Sequence, residues 1–237
     1  MQLRNDAGIY YFQNKKYLAV DNFVDEDAAQ IITEEYLKKA REDTENELND
    51  SQCPVNSKAW YGQPKCEYLM VDCLPKMEAL TGLKLLPTYT YMRVYGPGEE
   101  LHYHKDRGSC EISVTINLGQ SGDFDWPIWY ANPDDLTIRV PVSVLPHSAM
   151  MYRGCEVPHW REKFNPPNEN DWQVQLFLHY VDMNGPCAQF AYDRRDQLFI
   201  EPIGTSELYK TTEVKYSLIE GATPVSYTHL RAHETNV

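Results

Sequence analysis

No stretch of the 237 residues is apolar for long enough to span a membrane or to act as a secretory leader. We therefore expect no membrane partner and a cytoplasmic location. None of the six cysteines forms a CxxC pair, which excludes the common thiolate spacings of structural zinc sites. Free thiols in a reducing compartment are the expected state.

Basic residues are scarce and are not gathered into any segment. The chain carries 22 Lys and Arg against 35 Asp and Glu, for a net charge of −13. A field of this sign repels phosphate backbones, so we expect no nucleic-acid partner, and a nucleic-acid repair enzyme is disfavoured. The 17 Tyr and 5 Trp favour strands and a lined pocket.

The first third of the chain has helical patterns. Asp25 is a good helix N-cap, and apolar residues then recur at helical spacing, which predicts a helix over about 26–47. A second helical region is predicted over about 66–81. Within it Pro75 is expected to start a new helical turn, and Gly82 is expected to cap the end.

After this region the pattern changes to strands. Apolar residues alternate with polar ones at period two in several runs, which predicts half-buried strands. The runs are 112–118, 138–144 and 174–180, and the stretch 83–95 is rich in the strand-forming residues Tyr, Thr, Val and Leu. Helices first and many strands afterwards indicate a mainly β (α+β) fold, an antiparallel double-sheet barrel with the helices packed on one sheet.

We expect one domain over residues 1–223. It divides into a helical N-terminal part, a β core and a C-terminal extension, over residues 22–82, 83–185 and 186–223. Residues 224–237 contain SYTHLRAHET, which resembles a translated sequencing adapter. We expect a non-native or disordered tail there and exclude its histidines, His229 and His233, as ligands.

The strongest chemical signal is the HxD motif of His104 and Asp106. Residues two apart on a strand point the same way, so an imidazole and a carboxylate can meet at one point. Two histidines and one carboxylate on one face of a six-coordinate ion leave three positions open, an arrangement typical of non-haem Fe(II). His159 is the candidate third ligand. The sequence leaves open a competing pair, His102 with His104.

The residues around this motif resemble a known family. Over residues 93–106 the order of Tyr95, Gly98 and His104 matches the prolyl 4-hydroxylase-like branch of the Fe(II)- and 2-oxoglutarate-dependent oxygenases. That branch shows a tyrosine, a glycine three residues later, and the HxD histidine six residues after the glycine. The resemblance covers about residues 15–185 and includes three further segments, 17–24, 113–118 and 152–159.

The resemblance implies a double-stranded β-helix of the jelly-roll or cupin type, with the N-terminal helices packed on one sheet. It implies that His104, Asp106 and His159 are the catalytic iron ligands. It also implies that 2-oxoglutarate is the co-substrate and is decarboxylated to succinate while a substrate is hydroxylated. That substrate would be a peptidyl residue, such as proline, or a small molecule. Ascorbate is a further cofactor that the resemblance suggests, and the oligomeric state stays open.

The co-substrate site departs from the family pattern. The family places Lys or Arg nine to ten residues after the distal histidine, whereas position 169 here is glutamate. We choose Arg161 instead, because a guanidinium can hold a carboxylate with two hydrogen bonds, and Lys163 is the next candidate. Tyr95 and Asn117 are expected to line the same pocket.

The missing basic residue also supports a second hypothesis from another functional class. A β-helix protein of this kind could bind or sense a metal without turning over a substrate. Decarboxylation of 2-oxoglutarate discriminates between the two, because only the enzyme performs it.

Overall fold

The computed structural model describes residues 6–42, Cys53 and residues 58–199. The helices within these ranges are α1 (Asp6–Lys15), α2 (Glu26–Glu42) and α3 (Pro64–Thr81). The strands are β1 (Tyr17–Val20), β2 (Lys58–Tyr61), β3 (Leu85–Tyr95), β4 (Leu101–His104), β5 (Ile112–Gln120), β6 (Ile128–Asn132), β7 (Asp135–Val142), β8 (Ala149–Tyr152), β9 (His159–Arg161) and β10 (Gln173–Asp182). Short 3₁₀ segments lie at Gly108–Cys110 and Ala188–Arg194.

The strands form two sheets in which neighbours run antiparallel. The major sheet has six strands in the order β1-β8-β5-β10-β3-β2, and the minor sheet has four in the order β4-β9-β6-β7. The order is not sequential, because the chain crosses repeatedly between the sheets, as a jelly roll requires. This arrangement confirms the predicted fold class.

One face of the major sheet carries the helices. The apolar residues of the alternating runs in β5 and β10 point to this face and are buried against α2 and α3. They are Ile112, Val114, Ile116, Leu118, Val174, Leu176, Leu178 and Tyr180. Burial of this apolar surface, at about 25 cal/mol per Å², is the main reason that helices and sheet hold together.

The opposite face of the major sheet points toward the minor sheet and is unusually polar. The alternate residues of β5 and β10 are buried there although most of them carry hydrogen-bonding groups. They include Ser113, Thr115, Asn117, Gln173, Gln175 and His179. Buried polar groups require hydrogen-bond partners, so the space between the two sheets is suited to polar side chains and polar ligands.

Several sequence expectations differ from the structure in detail. Pro75 does not begin a new helical turn but lies inside the continuous helix α3, whose buried face packs on the sheet on both sides of it. Helix α1 is not predicted by the sequence pattern, because only Gly8 and Phe12 of its ten residues are buried, too few for an apolar stripe. The predicted residues 43–47 of α2 lie outside the described ranges.

The predicted tail, 224–237, and most of the predicted extension, 186–223, also lie outside the described ranges. The proposed division of the chain into parts therefore stays a prediction. Strand β2, which the sequence pattern did not predict, lies between the two predicted helices in the N-terminal part 22–82. Among the residues that the structure describes, no helix combines the length and the apolar character needed to cross a bilayer.

Gly82 ends α3 in the left-handed conformation, with φ at 73°, and its N–H donates to Glu78 O at 2.9 Å. A Cβ at this position would lie 3.0 Å from the side chain of Ile9. We predict that Gly82→Ala lowers the free energy of unfolding by about 1–2 kcal/mol in urea titrations. Gly96→Ala is the control, because a Cβ added at Gly96 would have no other atom within 4 Å. An equal loss in both variants would contradict the prediction.

Candidate metal centre

Three predicted ligands converge where β4 ends and β9 begins. His104 ends β4 and His159 begins β9, and the two residues are direct partners in the antiparallel register. The Oδ1 atom of Asp106 lies 3.4 Å from His104 Nε2 and 3.5 Å from His159 Nε2. One ligand atom from each residue therefore lies within 4.8 Å of the others.

This spacing fits a single ion. Ligand atoms at about 2.1 Å from a six-coordinate metal are about 3.0 Å apart when adjacent, slightly closer than seen here. The outer nitrogen of each ring is oriented by the backbone, with His104 Nδ1 2.7 Å from His102 O and His159 Nδ1 2.9 Å from Val157 O. When Nδ1 donates to such a carbonyl, Nε2 presents its lone pair to the centre.

Asp106 reaches the centre from a loop and not from a strand, which differs from the expectation. Strand β4 ends at His104, and the backbone of Asp106 is held by its N–H donating to Gly154 O at 2.9 Å. Ser113 Oγ donates to Asp106 Oδ2 at 3.1 Å. Burial alone would raise the pKa of Asp106, but the nearby His159 and His104 outweigh it and lower the pKa to about 2. The carboxylate is therefore ionised and available to a cation.

The competing pair of His102 and His104 is not assembled. The side chain of His102 is half exposed, and its Nε2 lies 3.4 Å from a carboxylate oxygen of Glu100. Adjacent strand residues point to opposite sides of a sheet, and residues two apart share a side only while the strand stays regular. The register shift between Leu101 and His104 breaks that regularity, which explains why only His104 points inward.

A second group of polar residues lies on the far side of Asp106. The ligand atoms of Cys110 and His179 lie within 4.8 Å of one another and of the Asp106 carboxylate. Ser113 Oγ is 2.9 Å from His179 Nδ1 and so links His179 to Asp106. Burial lowers the pKa of His179 to about 4, so the ring is neutral and suited to hydrogen bonding.

Arg161 lies on β9, two residues after His159, and is only 1% exposed. Its Nη1 donates to the backbone oxygen of Trp126 at 2.5 Å, while its Nε has no hydrogen-bond partner. Among the residues that the structure describes, no carboxylate lies within ion-pair distance of it. Burial lowers the pKa of Arg161 to about 10, so it is still a cation at neutral pH. A buried cation with a spare donor is suited to an anionic ligand.

The other two predicted pocket residues, Tyr95 and Asn117, differ in whether they have a hydrogen-bond donor left for a ligand. Tyr95 is fully buried, its ring meets Trp126 edge-on at 4.9 Å, and its hydroxyl has no hydrogen-bond partner. Asn117 already donates from Nδ2 to Gln120 Oε1 and Val144 O, both at 2.9 Å. Tyr95 therefore has a hydrogen to donate, whereas Asn117 as placed has none. A contact of Asn117 with a co-substrate stays a prediction that these bonds do not favour.

Sequence reasoning missed the amides beside Arg161. Gln173 Oε1 lies 3.5 Å from Arg161 Nη1, and Gln175, in the amide orientation that satisfies its neighbours, accepts from Arg161 Nη2 at 3.3 Å. A signal was present, because both glutamines alternate with apolar residues on β10. The alternation could identify their face but not the cation opposite them.

Comparisons with known proteins identify the fold. No protein-family model matches the sequence, and no curated protein matches it. Solved structures do match, among them a prolyl-4-hydroxylase from Pseudomonas putida, 14% identical, with a TM-score of 0.57 over 74% of this chain and 97% of that one. The fold is that of the 2-oxoglutarate-dependent oxygenases.

Two further structures with this oxygenase fold match at the same TM-score of 0.57. A prolyl hydroxylase from Trichoplax adhaerens, in complex with a peptide fragment of the hypoxia inducible factor oxygen degradation domain, is 13% identical over 73% of this chain and 87% of its own. HygX from Streptomyces hygroscopicus, with nickel and 2-oxoglutarate bound, is 11% identical over 76% and 88%. The resemblance found in the sequence is thus confirmed at the level of the fold.

Gly154, two residues beyond the end of β8, allows the Asp106 loop to pack closely against its backbone. A Cβ at position 154 would lie 2.2 Å from Cys110 O and 2.3 Å from Asp106 Oδ2. We predict that Gly154→Ala displaces the carboxylate and abolishes binding of Fe(II), or of Mn(II) as its substitute, in a titration followed by calorimetry.

Gly122→Ala is the matched control, because its nearest neighbour atom would be 3.7 Å away. Circular dichroism of both variants separates loss of the site from loss of the fold. Wild-type metal affinity in Gly154→Ala would show that Asp106 does not need its present position to bind.

Proposed function

We propose that the protein is an Fe(II)- and 2-oxoglutarate-dependent dioxygenase that hydroxylates a peptidyl or small-molecule substrate and converts 2-oxoglutarate to succinate. The observation that carries this proposal is the position of Arg161. A fully buried guanidinium without a carboxylate partner in the described structure lies on the same strand as His159 and two residues along it. A protein that bound only a metal would have no need of a buried cation beside the metal ligands, whereas an anionic co-substrate requires one.

The spacing of the two anchors suits the co-substrate. Residues two apart on a strand are about 6.7 Å apart and point to the same side. A five-carbon dicarboxylate, bound at one end to a metal at His159, has a similar length. Its far carboxylate would meet Arg161, with Tyr95 as a second donor, and both side chains are already held in place by Trp126. Donors fixed before binding lose little freedom on binding.

The roles of the residues follow from this arrangement. His104, Asp106 and His159 would hold the iron and leave adjacent positions open for the co-substrate and O₂. Bound iron would supply the redox chemistry, and the protein would orient the reactants and exclude water. Arg161 neutralises the far carboxylate, and the buried position of that contact makes a bidentate ion pair stronger than at a surface.

The second hypothesis, a metal-binding or sensing protein without turnover, draws on one observation. The position that usually carries the basic residue is Glu169, which is exposed. Arg161 offers a positive charge from β9, so the pocket can still pair with a carboxylate although position 169 is not basic. We therefore favour the enzyme and retain the sensing protein as an outcome of the test.

The first test is an anaerobic titration of the Fe(II)-loaded protein with 2-oxoglutarate. We expect a visible metal-to-ligand charge-transfer band that fades when O₂ is added, with formation of succinate. His104→Ala, Asp106→Ala and His159→Ala should each abolish iron-dependent turnover, whereas His102→Ala, which removes an exposed neighbour, should leave it intact.

Two results would count against the proposal. Full turnover in Asp106→Ala would refute the ligand assignment. Iron binding by the wild type without a charge-transfer band would favour the sensing protein.

The pairing of Arg161 has a separate test. We predict that Arg161→Ala raises the dissociation constant of 2-oxoglutarate by about tenfold or more, because a charge-assisted contact of about 1.5–3 kcal/mol is lost, while Fe(II) binding is retained. Lys163→Ala is the control, since Lys163 is exposed on the same segment. If only Lys163→Ala weakens co-substrate binding, the assignment of the two residues is reversed.

A further inference from the structure

The loop of residues 106–110, here called the aspartate loop, is contacted by a segment from the far end of the described chain. That segment, residues 183–195, follows β10 and is here called the C-terminal clasp. We propose that Asp193 of the clasp is a positioning residue, which holds the aspartate loop so that Asp106 faces the two histidines. The proposal rests on the proposed function, because it concerns the same iron site.

Asp193 makes four hydrogen bonds, three of them to the aspartate loop. Arg107 donates to both carboxylate oxygens, from Nη1 to Oδ1 and from Nη2 to Oδ2, each at 2.8 Å. Ser109 Oγ donates to Oδ1 at 2.6 Å, and Tyr61 OH donates to Oδ2 at 2.6 Å. A bidentate arginine–carboxylate pair fixes orientation as well as distance. The residue directly after Asp106 is therefore fixed in direction.

The clasp touches the aspartate loop at other points as well. A Cβ at Gly108 would lie 2.5 Å from the ring of Phe190, so ring and loop backbone are in close contact. Outside the clasp, Cys155 Sγ donates to Arg107 O at 3.4 Å. Contacts from the clasp and from Cys155 thus reach residues 107–109 of the aspartate loop.

The clasp is itself anchored to the rest of the protein. Arg195 Nη2 donates to Glu67 Oε1 at 2.5 Å and to Thr88 O at 3.0 Å. Glu67 is fully buried in α3. Tyr61 connects Asp193 to β2, and Thr88 Oγ1 in β3 donates to Ser109 O at 2.7 Å. These bonds therefore anchor the aspartate loop to strands of the major sheet, although the two histidine ligands belong to the minor sheet.

The backbone of the clasp is strained at Asp193 and at the residues on either side of it. Tyr192, Asp193 and Arg194 all have positive φ, at 54°, 53° and 61°. This region is unfavourable for residues with a Cβ, and three in succession persist only where the surroundings over-determine them. The bonds of Asp193 offset that cost, and the strained turn aims its carboxylate at Arg107.

Asp106 needs such support because it lies beyond the end of β4. A ligand on a strand is oriented by the sheet ladder, whereas Asp106 has one backbone bond of this kind, to Gly154. Residues that orient a ligand from outside typically change metal affinity by about 10–100-fold when removed. Loss of this support should therefore weaken the binding of Fe(II) but not the binding of 2-oxoglutarate, since Arg161 and Tyr95 belong to other strands.

The test compares Asp193→Asn with Asp196→Asn, which removes the same charge from an exposed site three residues further on. We expect Asp193→Asn to raise the Fe(II) dissociation constant about tenfold or more. The dissociation constant of 2-oxoglutarate at saturating Fe(II), and turnover at saturating Fe(II), should stay at the wild-type level. Asp196→Asn should match the wild type in all three.

Arg107→Gln tests the same contact from the loop side. It leaves the bonds of Asp193 to Tyr61 and Ser109, so the clasp keeps its place even if Asp193→Asn fails to fold. We expect a similar loss of Fe(II) affinity, and a loss in the double variant that is smaller than the sum of the two single losses, because both changes break the Arg107–Asp193 pair. Additive losses would mean that Asp193 does not act through Arg107.

The outcomes separate this inference from the proposed function. Wild-type Fe(II) affinity in both Asp193→Asn and Arg107→Gln, with turnover intact, overturns the positioning role and leaves the proposed function standing. Equal weakening by Asp196→Asn also overturns it, because the effect would then be one of net charge. A wild type that binds no Fe(II) overturns the proposed function and this inference with it.

Discussion

The site depends on one carboxylate, that of Asp106, being held against two imidazoles. Its Oδ1 lies 3.4 and 3.5 Å from the two Nε2 atoms, and burial would favour its neutral form if those rings were absent. The histidines come from paired strands and are fixed by the ladder, so the position of the carboxylate is the variable that must be controlled. The close approach at Gly154, the bond from Ser113 and the contacts of Arg107 all act on this one group.

The second constraint is the charge of Arg161 inside the barrel. An isolated cation in a low-dielectric interior is costly, and backbone and amide oxygens compensate for only part of the lost hydration. The two faces of the major sheet have different compositions, and this difference accommodates the buried cation. The face toward the helices is hydrocarbon and stabilises the fold, whereas the face toward the minor sheet is polar and leaves Arg161 with a donor unused. An anion that enters would complete the solvation of the cation.

The sequence allowed the strands to be predicted, and it indicated the three candidate ligands that the structure brings together, because both depend on local pattern. Period-two alternation identified β5 and β10, and the HxD motif with the register of Tyr95 and Gly98 identified the family resemblance. The surroundings of Arg161 could not be predicted, since Gln173 and Gln175 reach it from another strand. The same holds for Asp193, which meets Arg107 across 86 positions of sequence. Side-chain partners at such separations depend on how the strands cross between sheets, which no local period encodes.

In the proposed iron site, metal binding and folding are coupled, because the ligands come from two different parts of the fold. The histidines belong to the minor sheet, while the aspartate loop is tied through Asp193 and Thr88 to the strands β2 and β3 of the major sheet. An ion that binds all three ligands therefore bridges the two sheets, and its binding free energy adds to their association. The coupling runs in both directions, because any contact that fixes the aspartate loop against the major sheet also prepares the site for the metal.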